Sequence, residues 1–184
     1  MYADAEWAAL GFTILDPTLQ VDAARKLKLK KHPPTSKFVT LLKGFPPGNE
    51  ATARQWFQAL SRRVSCIISY LFLFESALIC SLCLVDFSPA ELRELPDTPF
   101  IPVKSTEDSS IIKNLRPNQC FLRAATSETS ELYSKLFSFV DFGASANIFL
   151  QACGARQEPS IEDFAQLLLA EPRRIYNLAN GRDK

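Results

Sequence analysis

Five cysteines and a single histidine offer the widest scope for chemistry in this 184-residue chain. Cys80-Ser81-Leu82-Cys83 has the spacing used by zinc ribbons and thiol oxidoreductases, where two sulfurs two residues apart grip one ion or share one disulfide. A zinc site needs two further ligands, and Cys120, Cys153 and His32 lack the paired spacing that would supply them. Asp141-Phe142-Gly143 repeats the magnesium-binding tripeptide of kinases, but no glycine-rich loop, strand lysine or His-Arg-Asp segment accompanies it. It reads instead as a turn between helices. There is no G-x-S-x-G, and any hydrolase triad would have to run through His32, which stands beside two prolines with no orienting partner. The six glycines form neither a dinucleotide fingerprint nor a P-loop. No catalytic, cofactor-binding or metal-ligating residue is assigned, and the chain does not read as an enzyme.

Composition narrows the classes further. Twenty-one Lys+Arg against 20 Asp+Glu give a net charge of +1, so no basic field points to nucleic acid or to anionic lipid. An odd number of cysteines without a secretory leader suggests reduced thiols in the cytoplasm or nucleus. The basic stretch Lys26 to Lys31 suits the negative pole of a helix, although it could also contact an acidic partner.

The elements that would position these residues are mostly helical. Asp4 caps a short helix to Leu10, closed by Gly11, and Phe12 to Leu15 is a brief apolar step. Asp16-Pro17 opens a helix to about Leu29, with Leu19, Ala23 and Leu27 on one face. Thr35 or Ser36 caps a helix ending at Gly44, and Asn49 caps one striped by Ala53, Trp56, Phe57 and Leu60. Ser88-Pro89-Ala90-Glu91 is a capping box for a helix to about Leu95. Phe100 to Val103 and Cys120 to Leu122 read as strands around a turn at Arg116-Pro117. Helical text resumes at Ser130, where Leu132, Tyr133, Leu136 and Phe137 share a face. It continues from Ala144 to Cys153, from Ser160 (with Asp163 as its box partner) and from Pro172 to near Gly181. Phe137, Phe139, Phe142 and Phe149 read as one core cluster. The fold class is α+β, predominantly helical, with a small two- to three-stranded sheet in the second half.

Between residues 64 and 85 the text changes. Val64 to Val85 carries five Leu, three Ile, two Phe and two Val with one charge, Glu75. Its apolar residues favour membrane insertion by about 4 to 7 kcal/mol, against about 2.5 to 3.5 kcal/mol for a central carboxyl. The run is long enough to span hydrocarbon, and Arg62 and Arg63 would place its amino-terminal side in the cytoplasm. The genetic code offers another reading. Val64-Ser65 can be written GTNAGY, the start of an intron. Leu78-Ile79 can encode a branch point and Leu84-Val85 can supply TAG. The abundant Phe, Leu, Ile, Ser, Cys and Tyr are what a pyrimidine-rich intron translates to. The chain therefore divides into a helical segment (1–63), an apolar insertion (64–85) and a small α+β module (86–184). The insertion is a retained intron, with a membrane span or a buried native insertion as the alternatives.

Phe100 to Val103, Leu115-Arg116-Pro117 leading into Cys120-Phe121, and Gly154 to Asp163 together resemble a unit of sacsin-like proteins. Glu6-Trp7 onward, Ala23 to Ser36, Glu50 to Phe57, Phe139 to Gly154 and Ala170 to Arg174 extend the likeness. The nearer resemblance is to large fungal sacsin-like proteins carrying the domain of unknown function 3684. The resemblance implies a parent protein with an amino-terminal ATPase domain of the histidine-kinase and heat-shock-chaperone type. The glycine-rich lid and Asp-x-Gly box of such an ATPase do not occur here. Family wording passes almost directly from the Trp56 helix into a segment like Asp86 to Leu92, so Val64 to Val85 is the departure.

The expected function is a non-catalytic scaffold or protein-interaction segment, detached from its parent because Met1 begins inside family text. Its partners would be the parent's remaining domains or other proteins. The alternative is a single-span membrane-anchored protein with soluble segments on both sides of the run.

Overall fold

In the computed structural model, residues 1–2, 5–16, 26–72, 87–104, 111–123 and 131–179 are described, with side chains after Val64 in the long helix excepted. A 3-10 helix, Ala5–Leu10, opens the chain and ends at Gly11, whose φ of +79° no side chain would favour. The helices are α1 (Thr35–Gly44), α2 (Glu50–Phe72), α3 (Pro89–Glu94), α4 (Glu131–Leu136), α5 (Ala144–Ala152), α6 (Ile161–Ala170) and α7 (Pro172–Ala179). The strands are β1 (Ile101–Lys104), β2 (Ile112–Leu115), β3 (Cys120–Leu122) and β4 (Ser138–Val140). The architecture is the expected helix-rich α+β.

The sheet differs in detail from the expectation, because the strands form two pairs. β1 and β2 run antiparallel, with Ile101 opposite Leu115 and Lys104 opposite Ile112. β3 and β4 run parallel, with Phe121 opposite Phe139, and Arg156 bridges to the other side of Phe121. Strand β4 is only three residues long and sits between helical patterns, so Ser138-Phe139-Val140 carries no readable period of its own.

One core serves both sides of the apolar run. Ala53, Trp56, Phe57, Leu60 and Val64 make a buried stripe on α2, packed chiefly against Ala146, Phe149 and Leu150 of α5. Aromatic rings link the halves: Trp7 to Phe38 (5.0 Å), Phe38 to Phe87 (6.2 Å), Phe87 to Phe149 (6.1 Å), and Phe149 to Phe57 (5.8 Å). Phe57 continues edge-on to Phe142 (5.1 Å) and Phe100 (5.7 Å). Val64 and Phe87, the described residues nearest the run's two ends, are both fully buried. The stripe on α2 thus passes the expected boundary at residue 63 without a break.

Local punctuation follows side-chain chemistry. The Asn49 Oδ1 accepts from the Thr52 N–H (2.9 Å), capping α2. The Ser88 hydroxyl accepts from the Glu91 N–H, and the Glu91 carboxylate accepts from the Ser88 N–H (2.9 Å), completing the expected box at α3. Burial opposes ionisation of Glu91, yet hydrogen bonds from the Ser88 N–H and the Thr35 and Ser88 hydroxyls hold its carboxyl below the usual range. Thr35 is therefore no cap: Pro34 precedes α1 without a side-chain cap, and the Thr35 hydroxyl crosses to Glu91 (2.8 Å).

Two further expectations shift. The helix expected from Asp16 to about Leu29 ends at Lys26 in its described part, with residues 17–25 outside that part. Lys28 adopts φ +52°, which breaks the helix, and Leu27 is turned to solvent rather than onto an apolar face. The step at Phe12 to Leu15 makes a single bridge, Ile14 to Tyr2.

Candidate functional site: an exposed face on the carboxy-terminal helices

The residues singled out for chemistry are dispersed. Cys80 and Cys83 lie outside the described residues. Cys120 and Cys153 are free and buried in the core, where desolvation pushes the Cys120 thiol up to about 12 and the Cys153 thiol well above its usual value. Protonated thiols of this kind are packing groups, not nucleophiles. His32 is half-buried and edge-on to Trp7, with ring centres 5.9 Å apart. The Asp141 Oδ1 accepts from the Gly143 N–H (2.8 Å) and the Asn147 amide (3.0 Å), while the Asn147 Oδ1 accepts from the Phe142 N–H (3.1 Å). Asp141-Phe142-Gly143 is thus the turn from β4 into α5, a strand-to-helix turn where two helices were expected. Gly143 supplies φ +92° at its end. Among the described residues no cluster of three or more His, Cys, Asp or Glu could hold a metal.

A cleft of about 270 Å³ lies between β1 and the β4–α5 turn, lined by Asn49, Glu50, Pro102, Val103, Phe139 and Asp141. Its carboxylates are already engaged: Glu50 pairs with Arg54 (2.9 Å) and Asp141 holds the turn. Lys104 completes the charged part of this lining.

The second feature is the surface of α6 and α7. Ser160 and Asp163 form the expected capping box, with the Ser160 N–H on the Asp163 carboxylate (2.7 Å). Arg156 donates to the other Asp163 oxygen (2.7 Å). This hydrogen bond, with those from Ser160, outweighs partial burial and holds the carboxyl at about 2. The Arg156 guanidinium also lies 5.2 Å from the Phe121 ring, so α6 is tied to the β3–β4 pair at its amino-terminal end. Phe164 faces inward onto Phe137 (4.8 Å) and Tyr133 (5.3 Å). Phe121, Phe137 and Phe139 form this satellite cluster, whereas Phe142 and Phe149 belong to the main core. The single aromatic cluster expected from sequence is in fact two.

The rest of the apolar face of α6 looks outward. Ile161 is 88% exposed, Leu169 84% and Leu168 53%, and Tyr176 on α7 is 60% exposed. Helix α6 buries no residue fully. Contiguous exposed apolar side chains of this kind occur at protein, membrane and ligand contact surfaces. The four-residue pattern Ile161, Phe164, Leu167, Leu168 reveals the apolar face in the sequence, but not that half of it stays uncovered.

The described residues thus form a helix-rich α+β unit with an outward apolar ridge on α6 and α7. The chain belongs to the family described as Protein of unknown function (DUF3684), whose model matches residues 1–71 and 75–184. The match halts and resumes inside the apolar run. No curated protein and no solved structure matches the chain. Among the described residues, no helix is long and apolar enough to cross a membrane. Residues 73–86 lie outside them, and the expected span falls mostly there.

Proposed function

We propose that the chain is a non-catalytic scaffold or protein-interaction segment of a large, sacsin-like, chaperone-type ATPase protein acting in the cytoplasm or nucleus. The observation that supports this is the ridge of Ile161, Leu168, Leu169 and Tyr176, held exposed on a capped and ion-paired helix pair. The engagement of Glu50 and Asp141 in structural contacts points the same way, as does the burial of Cys120 and Cys153. Deleting this segment from a full-length family protein tests the reading. ATP turnover is expected to stay within about twofold while the protein's assembly with its partners is lost. A loss of turnover of about a hundredfold or more with assembly intact would give the segment a catalytic part instead.

We also propose that the interior of Val64 to Val85 is foreign to the native fold. Support comes from the core positions of Val64 and Phe87 on its two flanks, although the family match leaves out only residues 72–74 of the run. Sequencing of mature transcripts decides it. Transcripts lacking the run support a retained intron, and transcripts that keep it across related strains contradict one.

A further inference from the structure

We infer that the exposed face of α6 is a two-fold contact with a second copy of this chain, pairing α6 antiparallel with itself. The inference rests on the interaction reading above and names its partner.

The argument begins with spacing. On a helix of 3.6 residues per turn, positions 161, 165, 168 and 169 fall on one arc, and all four are exposed. Ala165 stands at the middle of that arc. Ile161 lies one turn before it and Leu169 one turn after it. In an antiparallel pair crossing at Ala165, Ile161 of each copy meets Leu169 of the other, and Leu168 fills in beside them. A two-fold interface requires this self-complementarity, in which residue i contacts j while j contacts i. The small side chain at the crossing lets the helices approach closely, and the large ones at both ends supply the apolar area.

Charge follows the same symmetry. Glu158 and Glu162 are exposed at the amino-terminal end of the ridge, and Arg173 is exposed just past its carboxy-terminal end. None of the three has an ion pair among the described residues. The neighbouring charges are already matched internally: Asp163 with Arg156 (2.7 Å) and Glu171 with Arg174 (2.8 Å). Glu158 precedes the Ser160 cap and Arg173 opens α7, so antiparallel pairing sets the acidic end of one copy's ridge beside the basic end of the other's. A parallel pair would instead set acid against acid and base against base. Charge complementarity thus selects the antiparallel arrangement.

The helix is ten residues long, so the contact falls below the size of standard stable interfaces. The association is therefore weak and concentration-dependent.

Sedimentation of the 184-residue chain over about a hundredfold concentration range tests this. The expected result is a monomer–dimer equilibrium that Ile161→Asp or Leu169→Asp weakens by about tenfold or more, with circular dichroism unchanged because both side chains are exposed. Glu158→Arg and Arg173→Glu are each expected to weaken it by about threefold, and the double exchange to restore it. A monomer at every concentration overturns the inference. So does association that Leu169→Asp leaves intact, because it then runs through another surface such as the apolar run. Neither result touches the scaffold reading, which the deletion in the full-length protein decides separately.

Discussion

Helices α5 and α6 are nearly equal in length and both carry aromatic and aliphatic faces, yet they have opposite fates. Helix α5 buries Ala146, Phe149 and Leu150 against α2, while α6 buries nothing completely and leaves Ile161 and Leu169 almost fully in water. The difference lies in what covers each helix. Helix α5 meets the stripe of Phe57, Leu60 and Val64, whereas among the described residues α6 meets Phe137 and Tyr133 through Phe164, Arg156 through Asp163, and the following helix α7. Periodicity dictates that a helix has an apolar face; the neighbours decide whether that face becomes core or surface.

The comparison can be broken most severely at its buried end. Phe57 touches Phe100, Phe142 and Phe149, so Phe57→Ala should cost about 3–5 kcal/mol in chemical denaturation. A cost below about 1 kcal/mol would mean that the core is not packed as described.

The joint between the two regions comes next. Gly154 adopts φ +103°, and an added Cβ would sit 3.3 Å from the Pro96 Cβ. Gly154→Ala therefore combines an unfavourable backbone region with a close contact and should destabilise by about 1–3 kcal/mol.

A smaller effect concerns the clamp on α6. Asp163 titrates at about 2 in the folded chain, below the value of about 4 expected when unfolded. The unfolded chain therefore binds the proton more readily. The stabilisation is fully present above about pH 4 and is lost as pH falls through about 2. Asp163→Asn should flatten that stretch of the stability–pH curve in acid unfolding, and an unchanged slope would remove the Arg156 clamp from the account.

The smallest effect marks the exposed end. Leu169→Asp should leave the unfolding free energy of the monomer within about 0.5 kcal/mol. A loss as large as that expected for Phe57→Ala would place Leu169 in a core and erase the contrast.

How far the sequence discloses this contrast depends on the range of each interaction. Caps are local, so Asn49, Ser88 with Glu91, and Ser160 with Asp163 are readable within four residues, and all three form as expected. The α2 stripe is readable for the same reason. The role of Thr35 is not readable in this way, because its partner, Glu91, is 56 residues away. β4 is too short to show a period, and the division of the phenylalanines into two clusters depends on which elements meet. The residues of the candidate surface, Ile161 and Leu168, are visible as apolar positions. Their exposure is not, because nothing in ten residues states what the rest of the fold leaves uncovered.

Amide hydrogen exchange as a function of chain concentration tests the central claim most directly, because it reads both helices in one sample. Protection of α6 amides should rise across about a hundredfold increase in concentration, while α5 amides exchange at rates that do not change. Exchange from α6 that is independent of concentration, or that is already as slow as α5 in dilute solution, would contradict an outward association surface.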